Sequence, residues 1–143
     1  MDGREGPPFS VRGLDHVLLI VEGMQRALGF YRGVLGCEVL AALPQFGMVE
    51  LVAGAAGIDL VDVADPAGAW ARPSVGGGRN LDHVCVAVSG CGAEDLRRHF
   101  AAHGVEIVEE RREIDARGES FSVYVKDPSG NVVEVKTRVG GAA

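Results

Sequence analysis

A chain of 143 residues, 47% hydrophobic with few aromatics, fits one compact domain or two small packed modules with a core of Val, Leu and Ala. A formal charge of −6 without a basic cluster argues against nucleic acid, and the longest apolar run is far short of the roughly 20 residues of a membrane span. Three cysteines without zinc-ribbon spacing, and no basic stretch followed by an apolar core at the N-terminus, point to free thiols in a reducing cytoplasm.

Residues 1–12 are rich in Gly and Pro and read as a flexible tail. A first module is expected over 13–63. Its strand Gly13–Val21 leads to a helix Met24–Leu35 with Ala27, Leu28, Tyr31 and Leu35 facing inward and Gly36 as its cap. Strands follow at Cys37–Leu43, Met48–Ala53 and Gly57–Val63. Residues 64–79 lack periodicity and read as a linker, with Trp70 anchoring it to an apolar surface. The second module, 80–137, follows the same plan. It has a strand Asn80–Val88, a helix Ala93–His103 with Leu96 and Phe100 inward, and strands Val105–Arg111, Ser120–Lys126 and Asn131–Thr137. Asp127-Pro128-Ser129-Gly130 is the turn before the last of these, and 138–143 form a short tail.

The two modules are copies. Leu14-Asp15-His16-Val17 recurs as Leu81-Asp82-His83-Val84, 67 positions later, and Gly36 and Glu38 recur 68 positions later as Gly104 and Glu106. On a strand, residues two apart share a face, so His16 goes with Leu18 and Ile20, and His83 with Cys85 and Ala87. The last strand of each copy carries one carboxylate between branched apolar neighbours, Asp59 in Ile58-Asp59-Leu60 and Glu134 in Val133-Glu134-Val135. Burying such a group is costly unless it is paired or binds a metal. Two histidines and two carboxylates from four strands can converge on one divalent ion, and nitrogen/oxygen ligation suits Zn, Ni, Co, Mn or Fe(II).

With Leu14-Asp15-His16-Val17, the helix end Phe30-Tyr31-Arg32-Gly33-Val34-Leu35-Gly36 and Asp127-Pro128-Ser129-Gly130-Asn131-Val132-Val133-Glu134-Val135, the chain resembles the vicinal-oxygen-chelate superfamily. That superfamily includes glyoxalase I, extradiol dioxygenases, methylmalonyl-CoA epimerase and bleomycin-resistance proteins. The resemblance implies an α+β fold of two tandem βαβββ modules, eight strands in a cupped, barrel-like sheet with the helices outside. It implies metal ligands at His16, Asp59, His83 and Glu134, one divalent metal per site, a small-molecule substrate and a homodimer. Asp59 departs from the Glu or Gln more usual there. Ile20 stands where glutathione-dependent glyoxalase I has an arginine, which argues against glutathione. Tyr124 matches the active-site tyrosine of fosfomycin-modifying members, while Leu18 replaces their threonine.

Two further residues are candidates for proton transfer. Glu50 faces the concave side if Val49, Leu51 and Ala53 face the helix, and the superfamily's epimerases have a glutamate base in a similar context. Tyr124 occupies the corresponding place in the second module. His99 and His103 are expected on a solvated helix face, and Glu109–Glu113 in a solvated strand end and loop. The expected function is metal-dependent isomerase or lyase chemistry through an enolate-like intermediate, with Glu50 or Tyr124 moving protons. The alternatives are Fe(II) extradiol dioxygenation through His16, His83 and Glu134, and a dimeric protein that sequesters an antibiotic or metabolite.

Overall fold

The computed structural model describes residues 13–71 and 81–138. The expected N-terminal tail, the second half of the expected linker and the last five residues lie outside them. The first module comprises β1 (His16–Val21), α1 (Met24–Leu28), β2 (Glu38–Leu43), β3 (Met48–Ala53) and β4 (Ala56–Asp62). The second comprises β5 (Val84–Val88), α2 (Ala93–Ala102), β6 (Ile107–Asp115), β7 (Gly118–Lys126) and β8 (Val132–Arg138). The strands form two four-stranded sheets of identical topology, ordered β1-β4-β3-β2 and β5-β8-β7-β6. In each, the first strand pairs in parallel with the last, and the remaining pairs are antiparallel.

Strand alternation sorts the side chains as the sequence pattern predicts. Leu19 and Val21 are buried while Leu18 is exposed, and Val84, Val86 and Val88 pack against the core opposite Cys85 and Ala87. The first helix differs from expectation. Only Met24–Leu28 is α-helical, and Gly29–Val34 widens into a π-helical turn. Phe30 and Tyr31, adjacent in sequence, are both buried in this wider turn. The second hairpin is also longer than expected. The charged run Glu109–Glu113 is paired strand, with Arg111 opposite Ser122 and Glu113 opposite Ser120. Its Glu110 bonds Arg97 of α2 through two 2.8 Å contacts, which anchors the strand to the helix layer.

One apolar cluster runs through both modules, joining Phe30 and Tyr31 to Leu96, Phe100, Phe121 and Val133. The Asp127–Gly130 turn is the clasp between them. Buried Tyr31 donates its hydroxyl to Asp127 Oδ2 at 2.8 Å, Asn131 Nδ2 donates to the Ile20 carbonyl, and the Glu22 amide donates to Ser129 Oγ. His99, expected to be solvated, is exposed but bonds the Val34 carbonyl at 2.8 Å and ties α2 to the π-turn. After β4 the chain folds back over the first sheet. Trp70 is exposed and anchors this segment by donating Nε1 to the Phe46 carbonyl, a polar contact in place of the apolar one expected. Gly68 lies so close beneath it that a Cβ would stand 2.0 Å from the Asp62 carbonyl oxygen. No helix among the described residues is long and apolar enough to cross a membrane.

Asp62 holds the start of α1 in place. Its carboxylate accepts from the amides of Gly23, Met24 and Ala64 at 2.9–3.0 Å. Burial opposes its ionisation, but these donors prevail and hold the carboxyl below its ordinary value. Asp62→Ala is expected to cost about 1–2 kcal/mol in urea unfolding, the loss typical of a helix cap. Because the folded-state pKa is depressed, the ionisation-linked part of this stability is present above the ordinary value of 3.8 and is lost as pH falls through the folded value. The stability gap between wild type and Asp62→Ala therefore narrows in acid.

Candidate metal-binding site

Parallel pairing of the first and last strands sets the site. Leu18 lies opposite Asp59 in the first module and Cys85 lies opposite Glu134 in the second. Each histidine precedes the residue opposite its carboxylate by two positions, so both share one face of the sheet. His16 Nε2 stands 3.6 Å from Asp59 Oδ2, and His83 Nε2 stands 3.1 Å from Glu134 Oε1. Asp59 and Glu134 are 7% and 5% exposed, so each is a buried carboxylate with a histidine as its partner. The antiparallel neighbour completes the pattern, with Glu50 opposite Asp59 and Tyr124 opposite Glu134.

The two copies are tuned differently. In the second, Ser122 donates to Glu134 Oε2 at 2.7 Å, and the His83 and Tyr124 rings meet edge-on at 5.4 Å. Burial works against the Glu134 carboxylate, but Ser122, Tyr124, Lys136 and His83 outweigh it and keep the group below its ordinary value. The Tyr124 phenol is pushed up to about 12 by burial and by Glu134, so its proton stays in place at neutral pH. Cys85 is raised to about 11 by burial and Glu134 and remains a thiol. In the first copy acidic and apolar side chains are mixed. His16, Glu50 and Asp59 line a hollow of about 250 Å³ with Leu40 and Val52, both exposed.

Among the described residues, no three His, Cys, Asp or Glu side chains lie close enough together to hold one metal ion. The four candidate ligands therefore stand as two pairs, one on each sheet. Each pair offers one imidazole nitrogen and one carboxylate oxygen, a donor set suited to a divalent ion but two ligands short of a tetrahedral site.

The sequence matches the Glyoxalase/Bleomycin resistance protein/Dioxygenase superfamily over residues 13–135. The chain belongs to this superfamily. It is 29% identical over 137 residues to a glyoxalase domain-containing protein of Mycosarcoma maydis, covering 94% of this chain and 73% of that one. Among solved structures it is similar to a virulence protein of Salmonella typhimurium, with a TM-score of 0.72 and 24% identity over 92% of this chain and 100% of that one. It is also similar to lactoylglutathione lyase from Agrobacterium tumefaciens, with a TM-score of 0.67 and 26% identity over 90% and 95% of the two chains.

Superfamily members typically use a divalent metal, and in this chain two aspartates outside the expected ligand set contact the two histidines. Asp15 Oδ1 lies 2.7 Å from His16 Nδ1, and Asp82 Oδ2 lies 2.7 Å from His83 Nδ1. A carboxylate on Nδ1 fixes the tautomer and leaves Nε2 to act as a ligand. Both aspartates belong to the repeated Leu-Asp-His-Val, so the repeat itself held the signal. Asp15 is also the largest influence raising the His16 pKa, ahead of Asp59. Asp15→Asn should return the His16 pKa toward its ordinary 6.5, read by NMR titration of the imidazole resonances. An unchanged titration would show that Asp15 does not control this ring.

Proposed function

We propose that the protein is a divalent-metal-dependent enzyme of the glyoxalase type. It acts on a small substrate with two adjacent oxygens by isomerase or lyase chemistry, in a site completed by a second copy of the chain. The observation that carries this reading is the pair of matched half-sites, each with a histidine Nε2 beside a buried carboxylate and an acidic hydrogen-bond partner on Nδ1. Packing of the helices joins the modules of one chain, while the half-sites remain on separate sheets. Exposed Leu18, Leu40 and Val52 surround His16 with apolar surface that a second copy would cover. A C₂ dimer then joins the first module of one chain to the second module of its partner, twice over.

In that arrangement His16, Asp59, His83 and Glu134 hold the ion, which when bound supplies a Lewis acid to the substrate oxygens. Glu50 and Tyr124 approach from opposite walls. Glu50, a half-buried carboxylate opposite Asp59, takes a proton from the carbon next to the chelated oxygen. Tyr124, held protonated, donates to substrate oxygen. Ile20 leaves no cation for a glutathione carboxylate at the position where glutathione-dependent glyoxalase I carries arginine.

Metal analysis of protein purified without chelator should find about one divalent ion per chain, and His83→Ala and Glu134→Ala should each abolish tight binding. Asp59→Ala should lose less, because the shorter acid stands 3.6 Å from its histidine. Unchanged metal content in both His83→Ala and Glu134→Ala overturns the ligand assignment. Sharing between chains has its own test, in which His16→Ala and Glu134→Ala proteins are mixed under exchange. The heterodimer regains one intact site and measurable metal if the site is shared, and none if each chain owns its site.

A further inference from the structure

Beyond the His83–Glu134 pair, the concave face of the second sheet holds two polar rows that the proposed chemistry leaves unused. Arg111, Ser122 and Lys136 lie side by side across β6, β7 and β8, and Glu113, Ser120 and Arg138 form the next row. The corresponding rungs of the first module carry no such groups. Two residues on from Asp59 stands Val61, opposite Met48, and Gly68 of the chain segment after β4 covers Val61. The second module therefore keeps a polar face where the first is apolar and plugged.

Two groups in these rows have unspent hydrogen bonds. Ser120 is 1% exposed, and its hydroxyl has no hydrogen-bond partner among the described residues. Strand alternation places it on the face of Ser122 and Tyr124. The Lys136 ammonium, with its side chain 19% exposed, lies 3.7 Å from Glu134 Oε2 and 3.8 Å from Glu113 Oε2. Both distances exceed the roughly 2.7–3.2 Å of an N–H···O hydrogen bond. Each of those carboxylates also has other partners. Glu134 takes the Ser122 hydroxyl and faces His83, and Glu113 is shared with Arg111 at 3.8 Å. Arg111 itself is engaged by Glu109 at 2.7 Å. The Lys136 ammonium is thus ion-paired with two carboxylates but within hydrogen-bond distance of neither, and the buried Ser120 hydroxyl, diagonal to it on the adjacent strand, has no partner among the described residues.

We propose that Lys136 and Ser120 form a subsite for an anionic group of the substrate, a carboxylate or a phosphate, on the rungs next to Glu134, whose Oε2 lies 3.7 Å from the Lys136 ammonium. Such a group accepts from both side chains at once, and charge-assisted bonds of this kind are the stronger class. The inference rests on the reading that Glu134 belongs to the substrate-binding site. It adds a substrate class to that reading: a small acid whose charged end lies one rung from its chelating oxygens.

The test is isothermal titration of the chelator-treated full-length chain with inorganic phosphate and with acetate. Removing metal keeps either anion from binding through an ion. Wild type is expected to bind at least one of them, and the tighter names the group. Lys136→Met should weaken that binding about tenfold or more, Ser120→Ala about three- to tenfold, and Lys136→Arg should retain most of it. Thermal unfolding of each variant checks the fold, and Ser120→Ala, the smaller change, decides if Lys136→Met does not fold. A wild type that binds neither anion, or Lys136→Met and Ser120→Ala proteins that bind as wild type does, overturns the subsite. Metal content measured on the same preparations separates the two readings. Lys136-dependent anion binding without metal uptake upholds the subsite and removes the metal centre. Metal uptake without anion binding does the reverse.

Discussion

The parallel pairing of β1 with β4 and of β5 with β8 is the constraint from which the site follows. In each module it fixes a histidine two residues from the position opposite a carboxylate. The antiparallel neighbour then lays Glu50 or Tyr124 across from the same carboxylate. A slip of one residue would throw each histidine onto the core face and bring a valine onto the concave one, so the buried apolar face protects the register. The chemistry of the concave side is thus held in place by hydrophobic packing on the other.

That packing also decides how the modules meet. The π-turn brings Phe30 and Tyr31 together into one shared core, and the Tyr31–Asp127 bond closes the seam between chain segments 96 residues apart. Joined in one apolar core, the modules keep separate sheets, and each carries one histidine–carboxylate pair. In each pair a buried carboxylate lies beside a histidine that is itself partly exposed.

Duplication has left the halves unequal. Glu134 sits among Ser122, Tyr124 and Lys136, whose hydrogen bonds and charge favour its ionised form against burial. Asp59 has His16 at 3.6 Å and Glu50 opposite, and exposed Leu40 and Val52 line the same hollow. Joined face to face, the two walls would differ in kind, one setting exposed Leu18, Leu40 and Val52 beside Glu50 and Asp59, the other polar from Glu134 to Arg138. A ligand between them would be bound with a defined orientation, its charged end toward the second module.

The sequence alone carried the architecture and the ligand candidates, because both are local patterns written twice. Leu-Asp-His-Val heads each module, a lone carboxylate sits in each last strand, and Gly36 and Gly104 close the helices. Alternation then placed His16 and His83 opposite the core face without any tertiary information. The widening at Gly29–Val34 was not legible, because the spacing of Ala27, Leu28, Tyr31 and Leu35 fits a regular helix and no local residue marks the wider turn. The paired stretch Arg111–Asp115 was masked by its charge, since only its contacts with β7 and α2 make it strand. The separation of the two half-sites had no local sign either. It is set by the shared core and by the clasp at Asp127, contacts between residues far apart in the chain that only the tertiary structure brings together.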